Sequence, residues 1–337
     1  MKIAFVGKGG SGKTTLSALL CRHLASLGRP VLAIDADINQ HLGAALGAAD
    51  TAGTVAPPMG EHLDEIKDYL RGSNPRIPSA ALMVKTTPPG PGSRLLSVTE
   101  SNPLWERFGV DVNGIRLLAT GAFTESDLGV ACFHSKLGAV ELLLNHLTDG
   151  ADEYVVVDMT AGADAFASGL FTRFDHTFLV SEPTRKGVAV HRQYREYATG
   201  FDVTMSVLGN KITDAADITF LRDQVGDDLR VCFHQSAPVR ALEQGRPFHL
   251  DDLEPANRAA LTEVQAAVDA TVRDPHRFLT QMHEIHRRNA RAWANDTIGT
   301  DLTTQIDPDH QPPYPPAPTP RSAAAAVGAA SQAALTV

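Results

Sequence analysis

The chain has 337 residues, 43% hydrophobic and 20% charged, with a formal net charge of -9. A chain of that size and balance needs no disulfide staples to hold a core, and its acidic total disfavours a general attraction to nucleic acid or anionic lipid. The three cysteines, Cys21, Cys132 and Cys232, are too scattered for a disulfide framework and fit a reducing compartment.

Residues 3–6 are a short apolar run that reads as a buried strand and is too short for a signal segment. A glycine-rich loop follows. Residues 14–27 then carry Leu16, Leu19, Leu20, Leu24 and Leu27 at helical spacing, and Gly28 supplies the stop. Residues 31–34 form the next strand and end at Asp35. Strand, helix, strand at this spacing is a βαβ unit, which builds parallel sheets. Residues 48–112 differ: Pro57, Pro58, Pro75, Pro78, Pro88, Pro89 and Pro91 break any period, so this is read as a loop-rich insertion with one helix near 61–71. A strand returns at 115–119 and a helix at 137–147. Further short buried strands are expected at 154–157 before Asp158, at 178–180 before Ser181-Glu182, and at 205–208 before Gly209-Asn210-Lys211. Terminal helices are expected at 255–272 and 275–293. On the second, His276, His283 and His286 with Arg287, Arg288 and Arg291 read as a solvated face. No stretch reaches the roughly 20 apolar residues that cross a bilayer, which makes the cytoplasm the expected location and a membrane an unexpected partner. The folded part is read as 1–298, with 299–337 a disordered tail that is proline-rich at 309–320 and alanine-rich at 322–337.

The chemistry concentrates at the first loop. Gly7-Lys8-Gly9-Gly10-Ser11-Gly12-Lys13-Thr14 satisfies the spacing G-x-x-x-x-G-K-[ST]. Glycines let successive N–H groups converge on phosphate oxygens without a Cβ in the way, and a helix N-terminus adds a favourable dipole. Gly9, Gly10, Ser11, Gly12, Lys13, Thr14 and Thr15 form the expected cradle. Lys13 is expected on the β- and γ-phosphates and the Thr14 hydroxyl on Mg²⁺. The expected fold is therefore α/β, a three-layer P-loop NTPase fold with a mostly parallel sheet flanked by helices. Asp35 and Asp37 close the second strand, beside that loop. Acids there serve either the ligand or ordinary capping.

The extra lysine, Lys8, makes the octapeptide resemble the deviant Walker A motif of the MinD/ParA/nitrogenase-iron-protein class. That resemblance implies an ATPase that forms a homodimer on binding ATP, with Lys8 acting across the dimer on the partner's nucleotide. It implies that Asp35 orders Mg²⁺ or its waters and that Asp37 orients the attacking water. Asp158-Met159-Thr160-Ala161-Gly162 is similar to the class's Walker B and second switch, with Asp158 on Mg²⁺ through water and Gly162 sensing the γ-phosphate. Asn210-Lys211 is similar to the adenine-contacting element. The 231–248 stretch resembles the later base-side segment but has Cys232-Phe233-His234 in place of the usual proline and aspartate.

Within the class, the order of elements around Cys132-Phe133-His134 and from Tyr154 to Gly162 resembles the CooC-type nickel-insertion ATPases, which mature carbon monoxide dehydrogenase. The resemblance implies a client metalloprotein. Where that family has a second cysteine, this chain has His134. Two subunits would offer two Cys132 and two His134, a donor set suited to Zn²⁺ or Ni²⁺ at the dimer seam. The alternative is a buried Cys132 and a helix-flanking His134; Cys232-Phe233-His234 repeats the pattern elsewhere. Competing functions are a MinD/ParA-type positioning or partitioning ATPase, a redox protein with a shared cluster, and a non-catalytic regulator. The tail lacks a basic amphipathic helix, a shared cluster lacks cysteines, and Lys13, Thr14, Asp37 and Asp158 are intact.

Overall fold

The computed structural model describes residues 1–48, 55–122, 133–150, 152–162, 166 and 168–313, without the side chains of 133–135. Its frame is an eight-stranded sheet. The strands are β1 (Lys2–Gly7), β2 (Val31–Ala36), β4 (Val110–Val112), β5 (Ile115–Ala119), β7 (Tyr154–Met159), β8 (His176–Ser181), β9 (Met205–Ile212) and β10 (Leu229–His234). They lie in the order β10-β9-β8-β1-β7-β2-β5-β4. All pairs are parallel except β4 with β5. A separate two-stranded ladder joins β3 (Leu96–Ser97) to β6 (Leu147–Thr148).

β1, β2, β7 and β8 are buried at every position, as strands covered on both faces must be. Successive side chains go to opposite faces. Ala4, Val6, Leu32, Ile34, Val155 and Val157 build one core. α3 (Leu63–Arg71), α4 (Pro103–Phe108), α5 (Phe133–His146), α6 (Arg185–Tyr197) and α7 (Ala215–Val225) add their apolar residues to it. Ile3, Phe5, Val31, Ala33, Tyr154 and Val156 build the other core, beneath α1 (Lys13–Ser26) and α9 (Pro255–Asp269). On α1, Leu16, Leu19, Leu20 and Leu24 are buried, each contributing about 2 kcal/mol. Leu27, placed on the same stripe by spacing, is exposed because the helix ends at Ser26 and Gly28 turns the chain at φ +70.

One sequence expectation is extended and two are corrected. The insertion is loop-rich in backbone, yet Ile66, Leu70, Ile77, Met83, Leu96, Trp105 and Phe108 belong to the core. The histidines of α10 (Pro275–Asn289) do not form a solvated face: His276 is exposed, but His283 and His286 are buried. His286 bonds Thr86 Oγ1 at 3.1 Å through Nδ1 and the Leu302 carbonyl at 2.9 Å through Nε2. Finally, packing continues beyond residue 298. Leu302 and Gln305 are buried in a 3₁₀ turn, Leu302–Gln305. Gln305 accepts from Thr87 Oγ1 at 3.0 Å and donates to the Leu82 carbonyl at 2.7 Å. The rest of the expected tail, 314–337, lies outside the described residues.

Candidate functional site

A parallel sheet turns all its C-terminal strand ends to one edge, and the predicted site residues converge there. β1 runs into the glycine loop. Gly7 has φ +154, and a Cβ on it would lie 2.5 Å from the Val180 carbonyl oxygen. Gly12 caps α1 in the left-handed region at φ +94, and a Cβ there would meet Asn210 Nδ2 at 2.2 Å. Glycine is thus required at these positions by backbone and by space. Gly9 and Gly10 are exposed at the lip, and the Ser11 N–H donates to the Lys8 carbonyl at 3.0 Å to close the loop.

The side chains inside are paired. Buried Lys13 donates to Asp37 Oδ2, and Thr14 Oγ1 donates to Asp158 Oδ2 at 2.6 Å. Asp37 Oδ1 accepts from the Asn39 N–H at 2.9 Å and from Asn39 Nδ2 at 3.0 Å. β2 and β7 run in register, with Asp35 beside Asp158. Asp35, expected near Mg²⁺, is like Asp158 absent from the walls of the phosphate cleft. Its Oδ2 accepts from the Leu42 N–H at 2.8 Å and its Oδ1 from the Asp37 N–H at 3.2 Å. Asp35 therefore ties the loop after β2 to the start of α2 (Leu42–Ala45).

The cleft over the glycine loop has a volume of ≈ 630 Å³ and is lined by Gly9, Gly10, Lys13, Thr14, Asp37 and Lys211 among others. A second cleft of ≈ 280 Å³ opens beside it, with Asn210, Phe233, His234, Gln235, Val239 and Leu253 in its walls. Thr15 and Glu243 belong to both, joined by a 2.9 Å hydrogen bond from Thr15 Oγ1 to Glu243 Oε1. Glu243, from α8 (Ala237–Glu243), and Phe233, from β10, both belong to the 231–248 stretch read as base-side, although neither the helix nor the strand was predicted. Asn210 donates from Nδ2 to the Ser11 carbonyl at 2.7 Å, so its amide nitrogen braces the loop. Lys211, at φ +61, donates from Nζ to the Gly10 carbonyl at 2.6 Å and to Glu182 Oε1 at 2.7 Å. Gly162 has φ +72, and its carbonyl accepts from Tyr194 Oη at 3.4 Å. Lys8 is partly buried and makes no ion pair among the described residues. Cys132 lies outside the described residues, as does the side chain of His134, although the His134 backbone opens α5.

These groups fit a magnesium-bound polyphosphate. Asp158 Oδ1 is buried without a hydrogen-bond partner, as is Ser11 Oγ, and the glycine cradle has no room for a Cβ at Gly7 or Gly12. A threonine hydroxyl beside a carboxylate is a hard-oxygen set suited to Mg²⁺. Burial, aided by neighbouring Asp158, pushes Asp35 up to about 8. Burial pushes Asp158 up to about 6, with Lys13 and Thr14 opposing. A raised carboxyl means that the fold holds a proton the unfolded chain has lost, so stability falls as pH rises through the folded value. For Asp35 that fall runs from the ordinary carboxylate value of about 4 up to about 8, and its upper end lies above the ordinary titration of histidine. Asp35→Asn is therefore expected to remove about 1 kcal/mol of stability loss between pH 7 and 8.5, read as the difference in urea unfolding between variant and wild type. Parallel pH profiles would reject the buried, protonated Asp35.

Phosphate is the ligand that this loop is shaped for, and the protein is by class a P-loop nucleotide-binding protein. Residues 3–288 match the CobQ/CobB/MinD/ParA nucleotide binding domain, CbiA, and the chain belongs to that family. It is 28% identical over 270 residues to the carbon monoxide dehydrogenase accessory protein CooC of Rhodospirillum rubrum, spanning 80% of this chain and 96% of that one. It is 27% identical over 258 residues to an uncharacterized ATP-binding protein of Methanocaldococcus jannaschii, spanning 74% and 92%. Among solved structures, MinD in the MinC:MinD cell division complex of Aquifex aeolicus shares the fold, at TM-score 0.53 and 20% identity, covering 81% of this chain and 97% of that one. A ParA family ATPase from Chlorobium tepidum does so at TM-score 0.52 and 12% identity, covering 77% and 96%.

Proposed function

We propose that this protein is a cytoplasmic, ATP-hydrolysing switch that dimerises on ATP and assists metal insertion into a client metalloenzyme. The observation that carries the nucleotide reading is the meeting of Lys13, Thr14, Asp37 and Asp158 at one glycine cradle, from three different strand ends. In this reading the N–H groups of Gly9 to Thr15 and the Lys13 ammonium hold the phosphates. Thr14 and Asp158 hold Mg²⁺, with Asp35 behind Asp158. Bound there, Mg²⁺ neutralises charge on the β- and γ-phosphates. Asp37, once Lys13 has turned to phosphate, is free to orient the attacking water, and Gly162 senses the γ-phosphate. Positioning and charge neutralisation are most of what phosphoryl transfer asks of a protein.

The base reading follows from Asn210. Its Nδ2 is committed to the Ser11 carbonyl, which leaves Oδ1 as the acceptor for the second cleft. An acceptor suits the exocyclic amine of adenine and opposes the O6 of guanine. ATP is expected to bind about 10-fold or more tightly than GTP, by titration calorimetry with Mg²⁺. Equal affinities would remove Asn210 from base selection.

Support for the client role is the similarity to CooC along nearly the whole of that protein. Gel filtration with and without Mg·ATP, and with Ni²⁺ or Zn²⁺, tests both parts. A monomer that becomes a dimer on ATP, and gains metal that Cys132→Ala loses, is the expected result. A dimer without metal would keep the switch and discard Cys132 and His134 as a metal site. Co-sedimentation with liposomes or plasmid DNA would instead favour the positioning or partitioning alternative.

A further inference from the structure

We propose that Gln40 is a positioning residue that ties the loop after β2 to the end of β5, so that nucleotide at the phosphate cleft is felt at the base of α5. The proposal rests on the nucleotide-binding reading above.

Gln40 sits at φ +51, in the left-handed region that glycine and asparagine enter readily and glutamine does not. That backbone costs about 1 kcal/mol and persists only where surrounding contacts impose it. The contacts are those of its own amide. Nε2 donates to the Asp37 carbonyl, and lies 3.4 Å from both the carbonyl and Oδ1 of Asp35. Oε1 accepts from the Gly121 N–H at 3.2 Å. Asp37, Asn39 and His41 line the phosphate cleft, whereas Gln40 does not. Its side chain thus faces away from the ligand and toward the neighbouring strand.

What it touches is stiffly connected. The Thr120 N–H donates to the Asp35 carbonyl at 2.9 Å, and the Gly60 N–H donates to the Thr120 carbonyl at 2.8 Å. Gly121 is at φ +105, and a Cβ there would lie 2.6 Å from Pro58 Cβ. The Ala122 carbonyl accepts from Nζ of Lys136, a buried residue of α5 that also pairs with Glu61 at 3.6 Å. The end of β5, the Pro58–Glu61 turn and the base of α5 therefore form one packed unit, and Gln40 is its hydrogen-bonded link to the switch loop.

The bistable part is Asp37. Its one ion pair among the described residues is with Lys13, the ammonium that phosphate oxygens compete for. When Lys13 turns to phosphate, Asp37 changes partner, and its carbonyl is an acceptor of Gln40. A shift of Asp37 must then either break that bond or carry Gln40 and Gly121 with it. A ligand that prefers one arrangement of the loop also prefers one arrangement of the unit behind it. Coupling of this kind is reciprocal for binding.

Hydrogen–deuterium exchange on the full chain tests this, with Mg·ADP or a non-hydrolysable Mg·ATP analogue, alongside separate nucleotide titrations. In the wild type, nucleotide is expected to change exchange in peptides covering 115–121 and 136–147 as well as in the glycine loop. Gln40→Gly keeps the left-handed backbone at no cost and removes the link. It should retain nucleotide affinity within about threefold and the glycine-loop response, while losing most of the response at 115–121 and 136–147. Gln40→Glu keeps an acceptor for Gly121 but loses the donor to Asp35 and Asp37, and is expected to behave like Gln40→Gly. A purely structural role would lower the melting temperature and leave the wild-type response in place. The coupling is overturned if wild type binds nucleotide without a response in those peptides, or if Gln40→Gly responds like wild type. A wild type that binds no nucleotide would overturn the nucleotide reading and the coupling with it.

Discussion

Lys13→Ala is expected to abolish ATP turnover, by about 10³-fold or more in a phosphate-release assay. The side chain is buried, points at the phosphate cleft, and neutralises Asp37 in the same place. Removing it takes a cation from the phosphates and leaves Asp37 as a buried carboxylate without its partner, with Asp158 nearby. Breaking a buried pair from one side costs about 3 kcal/mol, so the single variant should also unfold at lower denaturant. The two effects separate in the double variant Lys13→Ala with Asp37→Ala. It is expected to recover much of the stability and none of the turnover. Recovery of turnover as well would remove both residues from the chemistry, Lys13 from the phosphates and Asp37 from the attacking water.

What the sequence disclosed, and what it hid, follows from the range of the interactions. The glycine loop was legible because its function is written in local backbone chemistry: Gly7 and Gly12 are needed where they stand, and Lys13 and Thr14 follow at once. The buried strands were legible because both faces are covered, so β1, β2 and β7 read as unbroken apolar runs. The insertion was legible only in part. Its helix near 61–71 is α3, with Ile66 and Leu70 buried at helical spacing, but Ile77 and Met83 enter the core singly among prolines, which leaves no period to count there. His283 and His286 were counted as polar on a helix, yet both are buried, and the partners of His286 lie on other segments: Thr86 is 200 residues away in sequence. Thr15 and Glu243 are 228 apart, and nothing local links them. Asp35 was read as ordering magnesium from its place at the end of the second strand and the likeness to the first switch; that its carboxylate also accepts the Leu42 N–H depends on a return of the chain that no local pattern shows. Gln40 gave no signal at all, since its left-handed backbone is imposed by bonds to Asp35 at the end of β2 and to Gly121 just past the end of β5.

Lys8 is where the pairing inside one subunit runs out. Lys13, Lys211 and Lys136 each have an acidic partner, whereas Lys8 has none among the described residues, and its carbonyl alone is used, by the Ser11 N–H. A cation held beside a phosphate site without an internal carboxylate is available to a second nucleotide across a dimer. Lys8→Ala is then expected to lower turnover by about 10²-fold or more while leaving nucleotide binding by the monomer within a few-fold of wild type. A local charge serving its own site predicts the opposite split, with affinity falling alongside rate. Mixing supplies the sharper experiment. In the proposed dimer, Lys8→Ala and Lys13→Ala subunits should each be nearly inactive alone, whereas a heterodimer of the two would hold one site with Lys13 from one chain and Lys8 from the other. Turnover is expected to return on mixing, in proportion to the heterodimer formed. If the mixture stays inactive although native mass spectrometry finds the heterodimer, Lys8 works within its own subunit.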